Sequence, residues 1–377
     1  MSPPGRAATT GRMIDHRPLS AVVLAAGEGT RMRSQRPKPL HNVCGRPLVM
    51  HVLHALVGLP VERTVVVIGH GGERVAKRVA EDSPPQLCVS FVEQRVQRGT
   101  GDAVLVGLSA FPDDDLDDTS TVVVLPGDTP LLRPETIAAL VETHQETGAA
   151  ATVLSARVAD PTGYGRIVRD RHGRVTRIVE HRDATADERA SDEINTGIYC
   201  FRRDLLGPSL RRLSPDNSQG EYYLTDVVAV LARTGHRVSA MVAPDPEEAQ
   251  GVNDRYQLAT AERELRARTN RRWMLAGVTM FDPLQTFVDV TVELGRDVTL
   301  LPGSILQGAT IVGDGCEIGP GTRLVDCTVG PDCHLEHVVA RRATVGAGCA
   351  VGPYAVLGPG VELPPGMVTG PFYTATG

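Results

Sequence analysis

The sequence lacks several features that mark common functional classes. Its seven cysteines are odd in number, scattered and without paired metal-ligand spacing, which argues against a disulfide framework or a zinc site. No apolar run is long enough to span a bilayer, so no membrane segment is expected. The formal net charge is −6, so a global basic field is absent and nucleic acid is not an expected partner. Any phosphate site must therefore be built from local Arg, Lys and backbone amide groups.

Length and composition indicate a multidomain protein. The chain has 377 residues, of which 41% are hydrophobic and 22% are charged, as is ordinary for a globular protein with two or three cores. Residues 1–17 are rich in Pro, Gly, Arg and Thr and contain no apolar core of signal-peptide length. We therefore expect a disordered tail over residues 1–17, a cytoplasmic location and reduced cysteines.

An apolar strand near the start of the chain, residues 21–26, runs into a loop that contains Gly27 and Gly29. Glycines let backbone N–H groups approach a base and phosphates closely, and Arg31 and Lys38 add positive charge beyond the strand. The loop has neither the third glycine of a dinucleotide fingerprint nor the Gly-Lys-Ser/Thr of a Walker loop, so it is neither of these phosphate loops. A glycine-rich turn alone is often only a tight turn, but the two cations favour a nucleoside triphosphate site.

The first two thirds of the chain alternate β-branched strands with helical patterns. Examples of the strands are residues 65–68 and 121–125. This alternation, from about residue 19 to 244, predicts a Rossmann-like, mostly parallel, doubly wound α/β sheet. Ligands bind such sheets beyond the carboxyl ends of the strands, where residues 27–38 and Asp128 fall. Next, residues 253–275 contain no Gly or Pro and predict one long connecting helix, with Trp273 as a packing anchor.

The last segment contains an apolar residue at every sixth position. The first run comprises Leu294, Leu300, Leu306, Val312, Ile318 and Leu324. After one five-residue step the frame resumes at Val329 and Leu335, and then again at Val345, Val351 and Leu357. A hexapeptide array of this kind predicts a short parallel β-helix over about residues 290–363, with the left-handed coil that is an exception to the usual crossover rule.

An ordered set of motifs carries a resemblance to one family. The motifs are Leu24-Ala25-Ala26-Gly27, Gly29-Thr30-Arg31-Met32, Pro37-Lys38-Pro39-Leu40-His41, Gln97-Arg98-Gly99-Thr100-Gly101-Asp102-Ala103, Gly127-Asp128-Thr129-Pro130-Leu131, Gly163-Tyr164-Gly165-Arg166-Ile167, Ile178-Val179-Glu180-His181, Glu193-Ile194-Asn195-Thr196-Gly197, Gly220-Glu221-Tyr222-Tyr223-Leu224-Thr225-Asp226 and Gly251-Val252-Asn253-Asp254. Over nearly its whole length the chain resembles the bacterial bifunctional enzymes that acetylate glucosamine 1-phosphate and transfer uridylate to N-acetylglucosamine 1-phosphate. The resemblance implies a nucleotidyltransferase domain over residues 18–248, a linker helix over 249–277 and a truncated left-handed β-helix over 278–377.

The implied reaction is an in-line attack of the sugar 1-phosphate on the α-phosphorus of UTP, which gives a UDP-sugar and pyrophosphate. The nucleophile is already anionic, so the protein must mainly align two anions and neutralise their repulsion. Two charges about 4 Å apart repel by roughly 4 kcal/mol at an effective dielectric constant of about 20, so cations are the central requirement. The resemblance therefore implies UTP and a hexosamine 1-phosphate as substrates and Mg²⁺ as cofactor.

The resemblance also implies roles for individual residues. Asp128 and Asn253 would bind Mg²⁺ through the oxygen ligands it prefers, while Arg31 would hold the β- and γ-phosphates and Lys38 would act at the α-phosphate. The nucleotide would be framed by Leu24, Ala26, Gly27, Gly29, Gln94, Gly99 and Thr100. The sugar would be bound by Gly165, Glu180, Asn195 and, as a weaker candidate, Tyr223. Read singly, Asn253 could equally be a helix N-cap and Tyr223 a core residue.

Some positions depart from the family pattern. Pro126 stands where an aromatic residue is common, and Asp102 where a neutral residue or histidine is usual. Gly358 replaces the arginine of the family's Leu-Arg-Pro-Gly motif, so we expect no acetyltransferase activity and only a possible homotrimer through the β-helix. Two alternatives stay open. The enzyme could use another sugar 1-phosphate, such as glucosamine 1-phosphate, or dTTP for UTP; or the chain could be a non-catalytic regulatory or scaffold subunit.

Overall fold

The computed structural model describes residues 18–111 and 120–377, so the predicted tail over residues 1–17 lies outside the described residues. The strands of the amino-terminal part are β1 (Leu19–Ala25), β2 (Asn42–Val43), β3 (Arg46–Pro47), β4 (Val61–Ile68), β5 (Val89–Glu93), β6 (Thr121–Pro126), β7 (Ala151–Arg157), β8 (Arg166–Arg169), β9 (Val175–Val179), β10 (Glu193–Arg202) and β11 (Val238–Val242). The helices are α1 (Leu48–His54), α2 (Gly72–Asp82), α3 (Thr100–Leu108), α4 (Pro134–Thr147), α5 (Ala186–Arg189), α6 (Arg203–Leu210) and α7 (Asp226–Arg233).

Nine of these strands form one mixed sheet. Its path is β11-β7-β10-β6-β1-β4-β5, and the β8–β9 hairpin joins it through β10. Strands β4, β1 and β6 are mutually parallel, as are β4 and β5 and the β7–β11 pair, which confirms the predicted mostly parallel α/β sheet. Strand β10 alone lies antiparallel between β6 and β7.

The direction of β10 matters for the position of the site. Arg202 pairs with Thr121 and Tyr199 pairs with Val124, near the end of β6. The amino-terminal half of β10 therefore extends past the carboxyl end of β6. Residues at the start of β10 thus reach the edge of the sheet where parallel strands place their ligand-binding loops.

Helices cover both faces of the sheet because successive residues of a buried strand point to opposite sides. Ala21 and Val23 of β1 pack in a buried cluster with residues of α1, α2 and α4. Val22 packs on the other face with residues of α3, α6 and α7. The sheet is thus the central layer of three.

A long helix, α8 (Arg255–Leu275), follows the sheet domain, as predicted. Its N-cap is Asp254, whose carboxylate accepts a hydrogen bond from the backbone N–H of Gln257 at 2.8 Å. The N-cap reading of Asn253 is therefore wrong, and its side chain is available for another role. At the far end of the helix, Trp273 packs against the core of the β-helix, as expected of a packing anchor.

The carboxyl-terminal part is a left-handed parallel β-helix. Its strands are β12 (Thr279–Met280), β13 (Phe287–Val288), β14 (Glu293–Leu294), β15 (Thr299–Leu300), β16 (Ile305–Gln307), β17 (Ile311–Val312), β18 (Glu317–Ile318), β19 (Arg323–Val325), β20 (Thr328–Val329), β21 (His334–Leu335), β22 (Val339–Arg341), β23 (Thr344–Val345), β24 (Ala350–Val351), β25 (Val356–Leu357), β26 (Glu362–Leu363) and β27 (Thr374–Ala375). They form three parallel sheets, one on each side of the coil.

The apolar residues of the hexapeptide array point inward, which confirms the interpretation of the repeat. The strands run from Thr279 to Ala375, beyond the hexapeptide array of residues 290–363 and inside the span 278–377 that the resemblance implies. Ala340 fills an inward position that the sequence pattern missed, because alanine carries little of the periodic signal given by Leu, Ile and Val.

Candidate active site

A cavity of about 580 Å³ lies at the carboxyl ends of β1 and β6. Many of the residues predicted to bind substrate or metal line it together. They are Leu24, Ala26, Gly27, Gly29, Lys38, Gln94, Gly99, Thr100, Asp128, Gly165, Glu180 and Asn195. The predicted nucleotide side and the predicted sugar side therefore share one cavity, as an in-line transfer between two substrates requires.

The loop after β1 approaches Lys38 so closely that only glycine fits at one position. Gly29 has φ +64°, and a Cβ atom there would lie 2.6 Å from Cβ of Lys38. Glycine tolerates both this backbone conformation and this contact. Gly27 differs, because a Cβ atom there would meet no protein atom within 4 Å. Gly29 is thus required by the fold of the loop, whereas Gly27 leaves space open at the cavity.

These two glycines give a matched prediction. Gly29→Ala should lower the free energy of unfolding by about 1–3 kcal/mol, since it strains the backbone and displaces Lys38. Gly27→Ala should leave the stability nearly unchanged but raise the KM of the nucleotide, because its methyl group enters the cavity. Thermal unfolding and steady-state kinetics of both variants test the pair; equal stability losses would contradict it.

A cluster of cations and oxygen ligands lies at one side of the cavity. The Lys38 ammonium donates to the Asp128 carboxylate and, at 2.9 Å, to Oδ1 of Asn253. The Arg31 guanidinium donates to the same Oδ1 at 2.9 Å. The backbone explains why Asn253 is here: the N–H of Val252 donates to the carbonyl of Asp128 at 2.9 Å. Two cationic side chains, Arg31 and Lys38, therefore meet the side-chain oxygens of Asp128 and Asn253, although these residues lie far apart in the sequence.

The oxygen donors of this cluster suit a divalent metal ion. A carboxylate oxygen of Asp128 and the amide oxygen of Asn253 converge on a single cation, the Lys38 ammonium. Hard ions such as Mg²⁺ take this type of donor and complete their shell with phosphate oxygens and water. Among residues 18–111 and 120–377, no group of three or more His, Cys, Asp or Glu side chains could hold a metal. An ion held here by Asp128 and Asn253 would thus share its shell with substrate.

The predicted nucleotide side of the cavity is shaped by close backbone contacts. Gly99 has φ +111°, and a Cβ atom there would lie 2.6 Å from the carbonyl oxygen of Tyr222. The side chain of Gln94 is 5% exposed and donates to the carbonyl of Gly99 at 3.2 Å. Gln97 donates to the carbonyl of Ala26 at 2.7 Å and ties this loop to the end of β1. The loop and the strand thus form one wall.

The predicted sugar side is built from β8, β9 and β10. The N–H of Asn195 in β10 donates to the carbonyl of Gly165 at 2.8 Å, just before β8. Glu180 directly follows β9, and one of its carboxylate oxygens accepts from the Thr225 hydroxyl at 3.2 Å. Burial raises the pKa of Glu180, and nearby acidic groups such as Asp226 add to the effect. The carboxylate is thus placed to accept hydroxyl donors from a ligand.

Three predicted residues are not part of the cavity lining. Asn253 is linked to the lining through its contact with Lys38, and Arg31 is linked to it in turn through its contact with Asn253. Tyr223 is 7% exposed, and its hydroxyl accepts from the side-chain amide of Gln219 at 2.8 Å. Tyr223 is therefore largely buried, and its role as a sugar contact stays a prediction.

Other lining residues were missed as individual candidates. Gln97, Tyr164, Thr196 and Thr225 all line the cavity. Each lies inside one of the motifs that carry the family resemblance, so the sequence did contain a signal for these residues. What the sequence could not supply was which side chain of each motif faces the cavity, because that depends on strand register.

The comparisons with known proteins agree with this geometry. Residues 21–220 match the family model of the MobA-like NTP transferase domain. Fold, site and match together define the chain as a nucleotidyltransferase.

Similarity over most of the chain then narrows the class. The chain is 52% identical to the bifunctional protein GlmU of Thermobifida fusca over 89% of this chain and 68% of the relative. It is 51% identical to bifunctional protein GlmU of Streptomyces avermitilis, with 92% and 71% covered, and 46% identical to that of Mycobacterium marinum, with 94% and 71% covered. The chain belongs to this family, the bacterial N-acetylglucosamine-1-phosphate uridylyltransferase and glucosamine-1-phosphate acetyltransferase family.

Membership fixes the general chemistry. The protein is an enzyme that transfers a nucleotidyl group to a sugar 1-phosphate, and its substrates are a nucleoside triphosphate and a sugar phosphate. Nucleotidyltransferases of this type depend on a divalent metal ion. In the described part of the chain, no helix is long and apolar enough to cross a membrane.

Proposed function

We propose that the enzyme transfers uridylate from UTP to N-acetylglucosamine 1-phosphate, with Mg²⁺ as its metal ion, and releases pyrophosphate and UDP-N-acetylglucosamine. The observation that carries the proposal is the convergence of Arg31, Lys38, Asp128 and Asn253 in one cluster beside the cavity, which Lys38, Asp128 and Glu180 line. We further propose the domain limits 18–248, 249–277 and 278–377 for the transferase, linker and β-helix.

In this proposal the protein supplies alignment and charge rather than a covalent step. The sugar phosphate is an anion and needs no general base, so the main barrier is repulsion between two phosphates. Lys38 and Arg31 supply fixed positive charge, Lys38 at the α-phosphate and Arg31 at the outer phosphates. Mg²⁺ held by Asp128 and Asn253 would add Lewis-acid neutralisation of phosphate charge.

The two walls of the cavity would select the ligands. Gln94 and the backbone at Gly99 offer an acceptor and donors that can read the polar edge of uracil. Glu180 and Asn195 offer a carboxylate and an amide, which suit sugar hydroxyl and acetamido groups. The burial of these side chains favours specificity, because a ligand lacking a matching group would leave a buried polar atom unpaired.

A separate proposal concerns the β-helix. Gly358 stands where the family's motif has its arginine, and His334 is an exposed residue whose Nδ1 lies 3.2 Å from a carboxylate oxygen of Glu317. We propose that this chain has no acetyltransferase activity and that its β-helix serves assembly into a homotrimer. Release of free thiol from acetyl-coenzyme A with glucosamine 1-phosphate tests the first part, and light scattering of the purified protein tests the second.

The deciding experiment measures pyrophosphate release from UTP with and without Mg²⁺. N-acetylglucosamine 1-phosphate and glucosamine 1-phosphate are compared as acceptors at equal concentrations. Higher kcat/KM with the acetylated sugar supports the proposal, and preference for the free amine favours the alternative substrate. Absence of release with either sugar would leave dTTP as donor or a scaffold role, which the same assay with dTTP separates.

The raised pKa of Glu180 predicts a pH dependence of sugar binding. A carboxyl group with a raised pKa is protonated at a higher pH than usual, so it loses its charge earlier on acidification. We therefore expect the KM of the sugar phosphate to rise on acidification, beginning at a higher pH than an ordinary glutamate would give. The substrate phosphate also titrates near pH ~6, so Glu180→Gln serves as the control. If wild type and variant show the same pH profile of KM, the assignment of Glu180 is wrong.

A further inference from the structure

The side-chain amide of Gln94 is held by two oxygen acceptors. Its Nε2 donates to the carbonyl oxygen of Gly99 at 3.2 Å and to a carboxylate oxygen of Asp102 at 2.8 Å. A primary amide nitrogen carries two hydrogens, so these contacts use both donors. The polar atom of Gln94 that remains for a ligand is therefore Oε1.

Chemistry fixes this orientation of the amide. Rotating the amide by half a turn would set Oε1 against the carbonyl oxygen of Gly99 and the carboxylate of Asp102. Both of these groups are acceptors, so neither could donate to Oε1, and Nε2 would lose both partners. Of the two, Asp102 is the closer to Nε2 and is negatively charged, which makes its hydrogen bond the stronger. Asp102 thus decides which end of the amide faces the cavity.

Asp102 acts at a distance from the ligand. Gln94 lines the cavity, whereas Asp102 does not. Asp102 lies in the first turn of α3, which begins after Gly99, and Gly99 is fixed against the backbone of Tyr222. The position of the carboxylate is therefore set by a helix start that is itself held in place. Any effect of Asp102 on the ligand must pass through Gln94.

We propose that Asp102 is a positioning residue for nucleobase selection, which holds Oε1 of Gln94 toward the cavity as an acceptor for the ring N–H of a uracil base. This inference rests on the proposed use of UTP. Uracil presents an N–H between two carbonyl groups, whereas the ring nitrogen of cytosine at that position is an acceptor. An acceptor fixed in the wall favours the first base and opposes a lone pair on the second.

The test compares UTP and CTP as donors for wild type, Asp102→Leu and Asp102→Asn. Leucine is close to aspartate in shape and removes the stronger acceptor, so only the weaker hydrogen bond to the Gly99 carbonyl still favours this orientation of the Gln94 amide. We expect Asp102→Leu to raise the KM of UTP and to lower the kcat/KM ratio of UTP to CTP by about tenfold, the effect of roughly one hydrogen bond. Asparagine can still accept through its oxygen, so Asp102→Asn should lose less of the preference. The KM of the sugar phosphate should not change in either variant.

A merely structural role for Asp102 predicts a different result. An acidic residue in a first helical turn also stabilises the helix, so stability alone cannot separate the roles. Glu73→Leu in the first turn of α2 is the matched control, since Glu73 lies away from the cavity. Lower thermal stability of Asp102→Leu with an unchanged UTP-to-CTP ratio would overturn the inference, as would a wild type that uses UTP and CTP equally. If the wild type uses neither nucleotide but binds UTP more tightly than CTP in calorimetry, the proposed function is wrong. In that case, loss of the binding preference in Asp102→Leu supports the inference about Asp102, and an unchanged preference overturns it.

Discussion

Asp128→Asn should lower kcat for uridylyl transfer by about a thousandfold, which corresponds to roughly 4 kcal/mol of transition-state stabilisation. The substitution keeps the size of the side chain and one oxygen, but removes the negative charge that faces Lys38 and would hold the metal ion. Because Asp128 is partly exposed and its backbone contact with Val252 is unaffected, the fold should persist. The measurement is pyrophosphate release at saturating substrates, together with the Mn²⁺ affinity of the UTP-bound enzyme by electron paramagnetic resonance.

Asp204→Asn is a suitable control for this prediction. Asp204 is also a partly exposed aspartate in an ion pair, with Arg202 at 2.6 Å, but it lies at the start of α6 outside the cavity. The Asp204→Asn variant should retain nearly full kcat. If Asp128→Asn also keeps nearly full kcat, Asp128 is no metal ligand. If cells that need this protein tolerate Asp128→Asn while the purified variant is inactive, the scaffold alternative gains support.

Periodic features of the sequence predicted much of the fold. The six-residue spacing of Leu300, Leu306 and Val312 specified a β-helix, because each coil side buries one apolar residue. The strand that ends at Ala25 and the loop through Gly29 indicated where one end of the cavity lies. In both places a local pattern determines the structure, so no knowledge of distant contacts was required.

Features that depend on distant contacts could not be predicted in this way. The antiparallel direction of β10, which brings Asn195 to the cavity, is a property of pairing with β6 and β7. Because Asp254 is the N-cap, the side chain of Asn253 can meet Lys38, and the backbone contact between Val252 and Asp128 holds this segment beside the cluster. Strand order and loop pairing are set by the whole domain, whereas motifs record only short segments.

The contact between Asp102 and Gln94 shows the same limit inside a single motif. The sequence marked Asp102 as a departure from the family pattern without assigning it an effect. In the structure it accepts a hydrogen bond from Gln94, eight positions earlier, across the start of α3. The family pattern assigned no effect to Asp102, whereas the structure shows that it makes a specific hydrogen bond with Gln94.

Lys38→Met should lower kcat by about a thousandfold and raise the KM of UTP by a smaller factor. A unit cation about 4 Å from a phosphate contributes roughly 4 kcal/mol at an effective dielectric constant of about 20, and the Lys38 side chain is only 14% exposed, so solvent screening is limited. Methionine keeps the length and apolar stem of lysine, which pack beside Gly29, and removes only the charge. The expected loss is therefore electrostatic.

Two further variants separate this electrostatic effect from general effects of the substitution. Lys77→Met removes a lysine that is 78% exposed on α2 and should leave kcat unchanged. Arg31→Met should mainly raise the KM of UTP, because Arg31 contacts Asn253 from the outer side of the cluster and would hold the outer phosphates. The three variants are compared by steady-state kinetics at fixed Mg²⁺. If Lys38→Met and Arg31→Met show the same change in kcat and KM, the two cations do not have the separate roles proposed. The summed positive charge of the cluster would then act on all the phosphates together.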